Sequence, residues 1–304
     1  MQSVITLANN INIKKDINMT YIKRVFLLFT IVFTITNAQA EVKKFNMVFV
    51  PASEKGDESD YSSLIKIVEN ITGFEINTIK VTDYNAAVEA MRAGRADIAW
   101  YGGKTYIKAA EIADAEAFAA GVRPGEKDAG YYAYFIVKED SKIKKFSDIK
   151  GKVLSLNSIG STSGDLIPQV ELAKINLSTT NEKDFENVFY AGSHDACLLA
   201  VLNSKSDVCG MSSRNYEARL ADNTFNKEQI RIIHKSDRVP PPPLAYSKKI
   251  ALEDRKKIKE AVLKAHEHGE IGGYGGKMSH YISVKDSDYD VLRNVVALLK
   301  KNKN

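Results

Sequence analysis

From Phe45 onward, apolar residues follow two alternating rhythms. Short apolar or alternating runs at Phe45 to Val50, Phe74 to Val81, Ala96 to Trp100 and Tyr131 to Val137 predict strands. Stretches with apolar residues three and four apart, Tyr61 to Thr72, Tyr84 to Ala93 and Thr105 to Ala115, predict helices. Asp83 is placed to cap the second of these, and Gly73 and Gly94 to end the first two. A short helical turn over Phe146 to Lys152 then opens a second series. It runs strand Val153 to Leu156, helix Asp165 to Ile175, strand Asn187 to Tyr190, helix Ala196 to Leu202, and strands Val208 to Met211 and Gln229 to Ile233. Val239 is followed by four prolines, Pro240 to Pro243, which fit neither a helix nor a central strand and predict a stiff extended connector. Asp254 to His266 and Asp286 to Lys300 predict amphipathic helices. The order argues an α/β protein with mainly parallel sheets and helices on both faces.

The pattern divides into two lobes joined by two extended crossings, one near Tyr131 to Val137 and one near Ile233 to Leu244. Residues 41–134 and 238–304 form the first lobe and 135–237 the second. Ligands of open α/β sheets bind beyond the carboxyl ends of the strands. Three hydroxyl-rich or glycine-rich stretches follow strands and so fall on the cleft between the lobes: Trp100 to Gly103, Ile159 to Gly164, and Ala191 to Asp195.

The N-terminus changes what is counted as fold. Lys23-Arg24, the apolar run Val25 to Ile35 and Ala38-Gln39-Ala40 have the order of a secretory signal peptide, with Met19 a candidate true start. Residues 1–40 are therefore expected to be removed. Their loss takes Lys14, Lys15, Lys23 and Arg24 with Asp16 from a chain of formal net charge +5, leaving about +2. That balance excludes nucleic acid as a partner. The Lys-rich stretches Lys142 to Lys150 and Lys256 to Lys264 read as solvated faces. Cys197 and Cys209 remain in the exported chain, and either a disulfide or two buried thiols fits them. No second Cys or His at ligand spacing suggests a metal, and no cofactor motif is present.

Ser161, Thr162 and Ser163 stand at a predicted helix start, where free N–H groups and the helix dipole favour an anion. One cap needs one hydroxyl, so three point to ligand contact. His194 and Asp195 open the next helix. His194 is placed to donate to an oxyanion. Asp195 would then either accept from a protonated oxygen, disfavouring sulfate, or orient His194. Tyr101, just before Gly102-Gly103, is expected to face the cleft. Trp100 reads as packing, and Tyr131, Tyr132 and Tyr134 as core or hinge. Gly272 to Gly276 reads as a linker.

These segments, Ala96-Asp97-Ile98-Ala99-Trp100-Tyr101-Gly102, Gly160-Ser161-Thr162-Ser163-Gly164 with Pro168, Gly192-Ser193-His194-Asp195-Ala196 and the turn Ser236 to Pro240, together resemble the phosphonate, phosphite and phosphate-binding proteins of ABC importers. The resemblance covers nearly all of the chain after the leader. It implies a two-lobed periplasmic-binding-protein fold of type II, closing on a small oxyanion and docking on a membrane permease. It implies a soluble periplasmic monomer that is not an enzyme. It assigns ligand contact to Tyr101, Ser161, Thr162, Ser163, His194 and Asp195, and to Ser53 at the end of the first strand. Other readings share many of these residues: a sensory oxyanion-binding protein reporting to a membrane receptor, a protein for sulfonate or another oxyanion, and a hydrolase using Ser, His and Asp. The hydrolase reading has no Gly-x-Ser-x-Gly elbow behind it, and adjacent His194 and Asp195 do not form the usual triad arrangement.

Overall fold

The computed structural model describes residues 41–53 and 57–301. The leader read over residues 1–40 lies outside them. The compact unit that carries the site begins at Lys43. In chain order it holds β1 (Lys44–Phe49), α1 (Asp57–Thr72), β2 (Glu75–Ile79), α2 (Tyr84–Arg92), β3 (Ile98–Trp100), α3 (Gly103–Ile112) and β4 (Ala115–Val122). Then follow β5 (Ala133–Lys138), β6 (Val153–Leu156), a π-turn at Thr162–Leu166 running into α4 (Ile167–Lys174), β7 (Asn187–Tyr190), α5 (His194–Leu202), β8 (Val208–Ser212), α6 (Ser213–Ala221) and β9 (Ile230–Lys235). The chain ends with β10 (Leu244–Ser247), α7 (Leu252–Lys264), β11 (Ile271–Gly273), β12 (Gly276–Met278), β13 (His280–Ser283) and α8 (Asp290–Lys301).

Local chemistry sets these boundaries. The Asp83 carboxylate accepts from the Asn85 and Ala86 N–H groups at 2.8 and 2.9 Å, satisfying donors that the first turn of α2 leaves open. The same helix buries Tyr84, Ala87, Val88, Ala90 and Met91 along one face. In β5, Phe135 and Ile136 are both fully buried but enter different cores, because successive strand residues point to opposite faces.

There are two large sheets. One has the order β13-β4-β10-β3-β1-β2 and the other β7-β6-β8-β5-β9. Neither is mainly parallel, which corrects the expectation from the sequence. β1 pairs parallel with β2 and β3, but β10 runs antiparallel to β3 and β4, and β13 antiparallel to β4. In the second sheet β6 is parallel to β7 and β8, while β5 is antiparallel to β8 and β9. β5 and β10 each follow a crossing and β13 follows the β11–β12 hairpin, which no alternating βα rhythm announces. β4 itself lies inside an Ala-rich run that carries little strand signal.

The crossings lie side by side. Tyr131 and Val239 exchange backbone hydrogen bonds of 3.2 and 2.8 Å. Tyr132 beside them carries Lys235 over its ring at 3.6 Å, and the Arg238 guanidinium at 5.4 Å. Pro240 to Pro243 lead into β10 as an extended segment. Gly272 to Gly276 is a second correction. It is no linker: it forms the tip of the β11–β12 hairpin, and it sends Tyr274 against Trp100 and Tyr131. The cysteine alternatives resolve to a Cys197–Cys209 disulfide joining α5 to β8.

Candidate functional site

Both sheets direct the carboxyl ends of their parallel strands toward one place. β6 ends at Leu156, and Asn157 turns the chain into the Ser158–Ser163 loop. Gly160 has φ +103°, and a Cβ there would lie 3.0 Å from Cβ of Tyr84 in the opposite lobe, so close approach and backbone sign both call for glycine. At Gly164 an added Cβ would come within 2.3 Å of Asn157 Cβ and 3.0 Å of His194 Cε1. Absence of side chains at these two positions lets the turn, α2 and the His194 ring close on one another.

Ser161, Thr162 and Ser163 are each 2% exposed. Ser161 caps the π-turn: its Oγ accepts from the Gly164 N–H and from Asn157 Nδ2, both at 3.1 Å. A hydroxyl with both lone pairs engaged keeps its hydrogen for a third partner, the polarity an anion needs. Thr162 Oγ1 accepts from the Lys104 N–H of α3 at 2.9 Å, and Thr105 donates to the Gly160 carbonyl at 2.9 Å. The first turn of α3 in one lobe thus meets the hydroxyl turn of the other. The buried Tyr131 hydroxyl lies near Thr162 and Ser163: burial pushes its pKa up, and these two neighbours lower it in part.

His194 begins α5, capped by Ser193, whose Oγ accepts from the Ala196 N–H at 3.0 Å. Its own N–H donates across the lobes to the Ala52 carbonyl at 3.1 Å, which sets Ser53 beside this turn. The ring accepts at Nδ1 from the Ser212 N–H at 3.2 Å, so the proton sits on Nε2. Burial drives its pKa down to about 3, leaving a neutral donor. The Ser212 N–H therefore orients the ring. The Asp195 carboxylate is 3.6 Å from Arg219 Nη1.

Tyr101 needs correction. It is fully buried, and its hydroxyl donates to the Ala87 carbonyl at 3.2 Å, inside the first lobe. The glycines after it start α3, while the ring, on the preceding residue, turns into the α2 packing. Trp100 packs as expected, between Tyr61 and Tyr274. Sequence reasoning does not single out Tyr84, Asn157 or Lys104. Tyr84 looks like an ordinary core aromatic and Asn157 like a turn residue. Only the fold brings them together, with Asn157 Nδ2 3.4 Å from the Tyr84 hydroxyl. Tyr131 does pair at the hinge, as its pattern suggests, and its hydroxyl lies near the turn.

Three cations near the site, among the described residues, are paired with protein groups. Lys104 pairs with Asp165, Arg219 with Asp195 and Asp222, and Arg214 with Glu126 and the Ala129 carbonyl. Among the described residues no group of three or more His, Cys, Asp or Glu could hold a metal ion. No described helix is long and apolar enough to cross a membrane.

Two α/β lobes, paired crossings and an enclosed cluster of helix starts are the architecture of a solute-binding protein of the periplasmic type. More narrowly, the chain belongs to the family of periplasmic substrate-binding proteins of phosphonate ABC transporters, whose model matches residues 47–289. It is 27% identical to the phosphonates-binding periplasmic protein of Escherichia coli over 244 residues, covering 76% of this chain and 71% of that one. It is 26% identical to the phosphate-import protein PhnD of Mycolicibacterium smegmatis over 279 residues, 86% of this chain and 87% of that one. The fold matches a binding-protein component of an ABC phosphonate transporter from Pseudomonas aeruginosa with a TM-score of 0.76 at 23% identity, covering 86% and 88% of the two chains. The family is one of substrate-binding proteins and not of enzymes.

Proposed function

We propose that this protein captures a phosphorus oxyanion in the periplasm and delivers it to the membrane permease of an ABC importer. It would be exported by the leader over residues 1–40 and act as a soluble monomer. Residues 41–134 and 238–304 would move as one lobe and 135–237 as the other, about the paired crossings at Tyr131 and Val239. The bound anion would be held by Ser161, Thr162, Ser163 and His194, with Ser53 and Asp195 at the edge and Tyr131 replacing Tyr101. The observation that carries this reading is the burial of three hydroxyls and a neutral imidazole donor at the meeting of the lobes, on the starts of two helices, with Lys104, Arg214 and Arg219 among the described residues paired with protein carboxylates. Such a site attracts an anion through oriented dipoles and hydrogen bonds and releases it when the lobes part. The names of the relatives, phosphonates-binding and phosphate-import, agree on phosphorus oxyanions and leave the organic part open.

Catalysis is not part of the proposal. A serine nucleophile needs a base with a lone pair facing it. His194 presents Nε2–H, and its lone pair is engaged by Ser212.

Calorimetric titration of the exported chain with methylphosphonate, phosphite, phosphate and sulfate tests the reading. At least one phosphorus oxyanion is expected to bind saturably, and sulfate at least tenfold more weakly, since Asp195 favours an oxyanion that keeps a proton. No binding of any phosphorus species would overturn the function. Equal sulfate binding would overturn the role of Asp195.

A further inference from the structure

We propose that Lys104 and Asp165 form a charged latch between the lobes, which positions the Ser161–Ser163 turn and sets how long a bound oxyanion is held. The inference rests on the capture reading above and deepens it.

Asp165 lies in the π-turn directly after the hydroxyl turn and is 1% exposed. Its carboxylate gathers donors from both lobes. From its own lobe come the Tyr190 hydroxyl at 2.8 Å, Gln169 Nε2 at 2.5 Å and the Gly160 N–H at 3.2 Å. From the other lobe comes the Lys104 ammonium. The Gly160 contact ties the carboxylate to the loop that carries Ser161 to Ser163. Lys104 is tied to the same loop a second time, because its backbone N–H donates to Thr162 Oγ1. Its neighbour Thr105 adds the bond to the Gly160 carbonyl. One turn of α3 therefore holds both ends of the ligand loop, and the ion pair is the charged member of that set.

The energetics make this a device for retention. With the lobes apart, both groups meet water. With the lobes together, Asp165 is taken from water and its cation comes from across the cleft. The net value of such a pair is modest, but removing one partner leaves a buried carboxylate uncompensated. Loss of the Lys104 charge therefore penalises the closed state alone. Lys104 touches no proposed ligand contact through its side chain, so it acts as a positioning residue. A ligand that stabilises closure must then leave faster, with little change in its arrival.

The test compares wild type with Lys104→Met, Lys104→Arg and Asp165→Asn, using methylphosphonate as the probe. Lys104→Met keeps the backbone N–H and the stem length. Association and release are followed by rapid filtration with isotopically labelled methylphosphonate. Lys104→Met is expected to raise the dissociation rate constant about ten- to a hundredfold. The association rate constant should stay within about threefold, and the ligand-free melting temperature should barely change. Lys104→Arg should recover most of the loss, and Asp165→Asn should share the fast release. Unchanged dissociation in Lys104→Met overturns the latch. So does a loss that falls equally on association and ligand-free melting, or one that arginine fails to restore. Wild type that binds no phosphorus oxyanion sinks the capture reading and the latch with it, whereas binding wild type with unaltered variants sinks the latch alone.

Discussion

Single side chains decide what the site can hold. Thr162 shows how: its Oγ1 takes a backbone N–H from the opposite lobe while its neighbours Ser161 and Ser163 are buried beside it. Tyr101 and Tyr131 make a paired prediction. The Tyr101 hydroxyl is spent on the Ala87 carbonyl, so Tyr101→Phe should cost about 1 kcal/mol of stability and leave methylphosphonate affinity within about twofold. Tyr131→Phe removes a buried hydroxyl near Ser163 and Thr162, and should weaken binding about tenfold. Calorimetry on both variants separates them, and a weaker Tyr101→Phe with normal Tyr131→Phe would reverse the assignment. His194 carries a pH signature. Its pKa is about 3 in the fold against an ordinary value of about 6.5 in the unfolded chain. Below pH ~6.5 the unfolded chain takes up a proton that the folded one refuses, so this residue's contribution is intact above that pH and is lost progressively as pH falls toward 3. One such proton is worth up to about 1.4 kcal/mol per pH unit. Melting curves between pH 7 and pH 4.5 should therefore fall more steeply for wild type than for His194→Gln, and parallel curves would contradict a neutral buried imidazole.

Among the elements, α5 and β8 work as a pair. α5 begins with His194, and β8 ends with Ser212, whose N–H fixes the ring. The Cys197–Cys209 bond joins the two one turn behind the site, with Cys197 also against the Ser155 carbonyl of β6. Replacing both cysteines by alanine should lower stability by about 2–4 kcal/mol, the range for a short closed loop, and should weaken ligand binding as the ring loses its seat. Denaturant unfolding measures the first effect and calorimetry the second, and full stability without the bond would show that packing alone holds the pair. Elements are also the scale at which the sequence speaks most clearly. Ser161 to Ser163 can be found because three hydroxyls between glycines follow an apolar strand. His194 can be found because the same grammar recurs at Gly192-Ser193. β4 and the β11–β12 hairpin stay hidden, since alanine and glycine runs carry little periodicity. The direction of β10 is set by the returning crossing, and that of β13 by the hairpin before it, neither of which pattern alone reveals.

At the scale of the whole molecule, the function needs surfaces from both lobes. Asn157, Tyr84, Tyr131 and Lys104 acquire roles only because separate segments converge, and none stands in a motif of its own. The lobes meet through polar links, among them His194 N–H to Ala52, Thr105 to Gly160, Lys104 to Thr162 and Asp165, Arg123 to Glu217, Arg214 to Ala129 and Tyr274 to Asn215. The apolar residues Leu166 and Ile167 of the second lobe reach the core of the first. Such a seam suits a molecule that must open to load and unload. The most direct measurement is a calorimetric titration of the protein with methylphosphonate, run beside Thr162→Val. The expected result is one saturable site per chain in wild type, and an affinity about ten- to a hundredfold lower in the variant. Identical isotherms for the two proteins would contradict the claim that hydroxyls from this turn hold the anion between the lobes.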